Sequence, residues 1–194
     1  MNKVLLGGLA GGIILYVWSL FAWIFIPPLH GPSLHEIPNE EAVIAMLKPE
    51  LSSKAVYAFP HNPGMSADQA AKNAWTEKMK RGPGGMIIYD PAGTDPMMAG
   101  SMVIGLILDL CSALIVAWLL ARSTAVSSSY MSRVAFCGMF AIFATFFNYL
   151  TMWNWMGFPG DFTTGLIIDA LLAWILAGLA IAAIVKAPAA AKAA

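Results

Sequence analysis

MMAGSMVIGLILDLCSALIVAWLLA, residues 97–121, carries one charged side chain, Asp109, in an otherwise uncharged run. About 20 residues of helix cross the ~30 Å of hydrocarbon in a bilayer, and this run is long enough. Three more runs resemble it: Val4–Ile26, Val134–Trp153 and Phe162–Val185. In lipid each backbone N–H and C=O must find a partner within its own segment, so all four runs are expected to be helices. The composition agrees, with 59% hydrophobic and 11% charged residues, where a soluble domain has about a quarter charged. The expected fold is an all-α membrane protein of four transmembrane helices with a small extracytoplasmic α/β insertion between helices 1 and 2. The divisions are 1–27 (helix 1), 28–95 (insertion), 96–122 (helix 2), 123–133 (cytoplasmic link), 134–158 (helix 3), 159–186 (short outer link and helix 4) and 187–194 (cytoplasmic tail).

The first run begins after Lys3 but is longer than a signal-peptide core, and it ends in Trp23-Ile-Phe-Ile-Pro27-Pro28 rather than a small-residue cleavage site. It is read as an uncleaved anchor. Outside residues 28–95 the basic residues are Lys3, Arg122, Arg133, Lys186 and Lys192, at the N-terminus, the helix 2–3 link and the C-terminus. The positive-inside rule then places both termini in the cytoplasm of a cell (inner or plasma) membrane, with 28–95 outside. Trp23, Trp153 and Trp155 fall at the outer ends, where indole favours the interface. Eleven basic and eleven acidic residues give no net charge, so nothing points to nucleic acid.

Within the insertion, Asn39 is expected to cap a helix whose first turn holds Glu40 and Glu41, continued by Ala42–Lys48 until Pro49. Ala55–Pro60 reads as a strand. Ser66-Ala-Asp-Gln69 reads as a capping box opening a helix to about Arg81, closed by Gly82 and Pro83. Met86–Tyr89 reads as a second strand, and a right-handed crossover would pair the two strands in parallel. So small a unit buries little surface.

Helix 2 contains Gly105-Leu-Ile-Leu-Asp109 and helix 4 contains Gly165-Leu-Ile-Ile-Asp169, each followed four residues later by Ala. Helices 1 and 3 share Trp-x-x-x-Pro endings, Trp23–Pro27 and Trp155–Pro159. A tandem hairpin repeat would explain both matches. Gly7, Gly8, Gly11 and Gly12 form two overlapping G-x-x-x-G pairs that let another helix approach closely, and Gly105 and Gly165 offer similar space. On helix 3, Phe136, Phe140, Phe143 and Phe147 form one stripe and Cys137, Ala141, Ala144 and Asn148 another.

The candidate intramembrane polar site is Asp109, Asp169 and Asn148. Carboxylates in hydrocarbon are costly and generally face a bundle interior. Two sharing a site compete to keep one proton, which suits a proton relay or a cation site. The structural alternative ties each Asp to Ser112, Asn148, Thr151 or an indole N–H and makes it a register marker. No cofactor is expected. The one metal the residues would suit is Cu(I), on His30, His35, His61, Met97 and Met98, although no tight ligand spacing is present. Cys111 and Cys137 both lie inside spans and form no C-x-x-C. The four-helix layouts of DsbB-like and vitamin K epoxide reductase-like enzymes need cysteine pairs that this sequence lacks. No nucleophile elbow or phosphate loop occurs, so enzyme chemistry has no support.

Two functions stand as expectations. The first is a non-enzymatic accessory or scaffold subunit, whose partners are the bilayer and other membrane subunits or its own copies. The second is a small proton- or cation-linked transporter or channel using Asp109 and Asp169. What separates them is whether the two Asp share a polar cavity or are sealed by packing.

Overall fold

The computed structural model describes residues 2–26, 29, 34–123 and 129–186. It divides into two compact units, one of residues 1–35 with 98–194 and one of Glu36–Met97.

The first unit holds four helices long and apolar enough to cross a membrane. Helix α1 spans Lys3–Phe25, opened by Asn2, whose side chain accepts from Val4 N at 3.0 Å. Helix α4 spans Ala99–Arg122, with the Arg122 guanidinium 4.6 Å above the Trp118 ring. The third span runs Tyr130–Met156: α5 (Tyr130–Ala144), a π-helical turn (Thr145–Tyr149) and α6 (Leu150–Met156). It starts earlier than hydropathy alone implies, because Ser129 caps it by accepting from Ser132 N at 3.1 Å. Gly157, at φ +72, ends it in the left-handed conformation that Gly adopts without strain. Helix α7 spans Gly160–Ile184.

Neighbouring helices run antiparallel. Ascending positions on α1 meet descending ones on α4 and α7: Gly8 and Gly12 lie against Leu114 and Leu110, while Gly7 and Gly11 lie against Val185 and Ile181. The paired glycines of α1 therefore split by face, one pair for each neighbour. A Cβ at Gly12 would fall 2.6 Å from Leu110 Cα, and one at Gly11 would fall 2.6 Å from Ile181 Cγ1. Absence of side chains lets the backbones close in, and dispersion contacts replace the missing hydrophobic drive between helices in lipid. The core around this wedge includes Leu15, Val116, Leu120, Cys137 and Ile181.

On its other side α7 packs against α5, where a Cβ at Gly178 would fall 2.9 Å from that of Cys137. Arg133, buried near the end of α7, donates Nε–H to Ala182 O at 3.1 Å, and Tyr130 donates its hydroxyl to Leu179 O at 2.9 Å. The first satisfies a carbonyl of the helix's last turn, where a positive charge is also favoured.

The bundle is thus a row, α4–α1–α7–α5, and α4 touches α5 only sparsely. A two-fold axis relating two hairpins would bring α4 to α5 as closely as α1 to α7. Gly105 and Gly165 also differ: a Cβ at Gly165 would strike the Leu29 carbonyl, whereas one at Gly105 would meet only Tyr16, at 3.9 Å.

The second unit contains α2 (Glu40–Glu50), β1 (Ala55–Phe59), α3 (Gln69–Arg81) and β2 (Gly85–Tyr89). Four details differ from the sequence expectation. The strands pair antiparallel, Ala55 with Tyr89 and Phe59 with Gly85. β2 therefore starts beside the end of β1 and runs back along it. The cap of α3 is Asp68, accepting from Ala71 N at 2.7 Å, and not Ser66; a carboxylate there also suits the helix dipole. Asn39 stands in the left-handed region at φ 54 and makes no side-chain cap, and α2 continues through Pro49 to Glu50. Lys54 Nζ meets Asp90 Oδ2 at 2.7 Å, one step beyond the Ala55–Tyr89 pair. That bond and the Ala92 N–H hold the Asp90 carboxyl below its ordinary value. None of the described residues of this unit is fully buried.

Candidate functional site

Asp109 is the eleventh residue of α4 and Asp169 the tenth of α7, so both stand near the middle of their spans. They line one cavity of about 190 Å³ with Trp18, Ser19, Ser112 and Tyr149; Leu15, Ala170, Ala173 and Trp174 complete its wall. Two carboxyls, two Ser hydroxyls, a phenol and an indole N–H thus converge within helices otherwise made of aliphatic side chains.

The two carboxyls are held differently. Trp18 Nε1 donates to Asp169 Oδ1 at 2.6 Å, which fixes that oxygen against α1. Among the described residues no donor reaches the Asp109 carboxyl, so its oxygens are left for a proton, a cation or water. Both side chains are half-buried.

Asn148 is not in this cavity. It is exposed, and its neighbour Tyr149 lines the wall instead. The reason is the π-helical turn: Leu150 N–H bonds to Thr145 O, five residues back, so one extra residue enters the turn. At helical spacing the residue continuing the Cys137–Ala141–Ala144 face would be Asn148. With the extra residue it is Tyr149.

Trp18 is not among the residues the sequence singles out, although an indole N–H is among the partners expected for each Asp. Its signal was position, because Trp23, Trp153 and Trp155 mark span ends while Trp18 lies deeper, where an indole N–H needs a partner. The same holds for the Tyr149 hydroxyl. A larger groove of about 630 Å³ between α1 and α7 is lined by aliphatic and aromatic residues, Ile13, Val17 and Leu176 among them; it offers surface to lipid but no polar chemistry.

The metal candidates divide between the two units, His35 and Met98 in the first and His61 and Met97 in the second. His30 lies outside the described residues. His61 borders a cleft of about 360 Å³ with Trp75 and Lys78, and no Met lines it. Met97 and Met98 are exposed. Among the described residues no three His, Cys, Asp or Glu side chains come together.

Comparison with protein-family models, with curated proteins and with solved structures finds no match.

Proposed function

We propose that this chain is a small proton- or cation-linked membrane transport protein whose working element is the Asp109–Asp169 cavity. The observation that carries the reading is that carboxyls from two helices enter one polar cavity at mid-span, where an ionisable group is costly unless it serves a pathway or a binding site. Asp169, tethered by the Trp18 indole, is the fixed carboxyl. Asp109, with no donor among the described residues, is the group that takes up and releases the proton or cation. Tyr149, Ser19 and Ser112 supply oxygens for a partly dehydrated ion or an ordered water. The chain sits in the cell membrane with both termini cytoplasmic and residues 28–95 outside, a reading supported by where its basic residues fall.

The test is flux. Purified protein in liposomes loaded with a pH-sensitive dye, under a potassium diffusion potential, is expected to move protons faster than empty liposomes. Asp109→Asn should cut that rate at least tenfold. Equal flux from the variant, or none from the native chain with either protons or alkali cations, would overturn the reading.

The accessory-subunit reading retains one observation of its own, the outward face of the third span.

A further inference from the structure

The π-helical turn that brings Tyr149 into the bundle also turns Asn148 out of it. Asn148 stands eight residues before Met156, the end of the span, or about 12 Å along the helix. It therefore falls inside the hydrocarbon, below Trp153 and Trp155. A primary amide there has no water to bond, and leaving it unpaired is costly. Neighbouring hydroxyls are already used: Thr145 donates to Ala141 O at 2.9 Å and Thr151 to Phe146 O at 3.3 Å. Among the described residues nothing bonds the Asn148 side chain.

Counting five residues across the wide turn and three or four elsewhere, Phe143, Asn148, Thr151 and Trp155 share one outward ridge. All are exposed, Phe143 at 64% and Trp155 at 79%. Phe147 stacks on Phe143, with centroids 5.4 Å apart and planes 10° apart. The ridge carries no charge; the Thr151 hydroxyl is turned back onto Phe146 O and the Trp155 indole stands at the span end, so the amide left inside the span is that of Asn148, a group complementary to itself. An amide offers one N–H and one C=O toward a facing amide and so closes two reciprocal bonds across a two-fold axis. Copies inserted the same way carry this group at the same depth, which an unrelated helix need not do.

We infer that this ridge is the interface for a second copy of the chain, the two Asn148 amides bonding each other within the membrane. The inference does not depend on transport activity. It is tested with the full-length chain, dye-labelled and reconstituted into liposomes at decreasing protein-to-lipid ratio, with energy transfer reporting association. The native chain should associate, and Asn148→Leu should raise the dissociation constant about tenfold. Asn148→Gln should keep most of the association. In a background lacking Cys111 and Cys137, Phe147→Cys should cross-link between copies, and Val103→Cys on α4 should not. A chain monomeric at every ratio, a dimer indifferent to Asn148→Leu, or cross-linking through position 103 in place of 147 would each overturn it. So would capture of a different polypeptide at this ridge with no self-association.

Discussion

Trp18 on α1 and Asp169 on α7 join across the bundle, the indole N–H donating to Oδ1 at 2.6 Å. The bond lies beyond the tight glycine contacts of α1, which bring α1 and α7 together at the other end, where Gly7 meets Val185. It thus holds the two helices where their packing is more open, beside the polar cavity. Trp18→Phe keeps the ring and removes the donor. A hydrogen bond to a charged group contributes about 1.5–3 kcal/mol, against about 0.5–1.5 for a neutral pair. Thermal unfolding in detergent should show a loss in the first range for Trp18→Phe, shrinking to about 1 kcal/mol or less when Asp169 is already Asn. An unchanged loss in that background would mean that the indole acts through packing alone.

Asp109 and Asp169 should respond in opposite directions to replacement by Leu. Asp169→Leu strands the indole N–H and should destabilise by about 1–3 kcal/mol. Asp109→Leu removes a half-buried carboxyl for which no donor is found among the described residues, and should be neutral or stabilise by up to about 1 kcal/mol. If that variant also loses flux, the pattern is that of a group kept for function at the expense of stability. If it unfolds, Asp109 is structural.

The glycines of the bundle are not equivalent. Gly12→Ala forces a methyl against the Leu110 backbone and should lower stability by about 1–3 kcal/mol. Nothing lies within 4 Å of a Cβ built at Gly138, so Gly138→Ala should be neutral or gain up to about 1 kcal/mol in helix stability. Melting temperatures of the two variants, measured side by side, test the wedge role of α1.

Acid should loosen the small unit through Asp90. Its carboxyl, held by Lys54 and the Ala92 N–H, titrates below the ordinary 3.8. A group whose folded value is depressed contributes stability above its unfolded value and loses that contribution as pH falls through the folded one. Protection of the β1 and β2 amides against exchange should therefore be constant near neutrality, where Asp90 stays ionised, and fall below about pH 4. In Asp90→Asn that acid-dependent step should be absent and exchange faster already at pH 7. An acid response equal in both proteins would assign it to another carboxylate.

Part of the cavity is legible in the sequence. Asp109 and Asp169 stand out because a charge inside an apolar run contradicts its surroundings, and one residue is enough to see that. The four helices follow equally directly, since lipid leaves the backbone no other way to satisfy its hydrogen bonds. Trp18 could have been found by depth, as an indole away from the interfacial belt.

Asn148 and Tyr149 mark where a linear reading stops. Helical periodicity assigns Asn148 to the inner face, and only a five-residue turn, a property of hydrogen bonding along one stretch of backbone, exchanges it with its neighbour. The antiparallel pairing of β1 and β2 is similar, because strand order says nothing about the direction in which a 25-residue excursion from Pro60 to Gly84 returns. The amino-acid sequence by itself determined which segments enter lipid and which side chains are too costly there to be incidental, since transfer energies belong to single residues. Only the tertiary structure decided which of those side chains meet. Meeting depends on helix rotation and order in the row, and these are set by contacts between residues far apart in the chain.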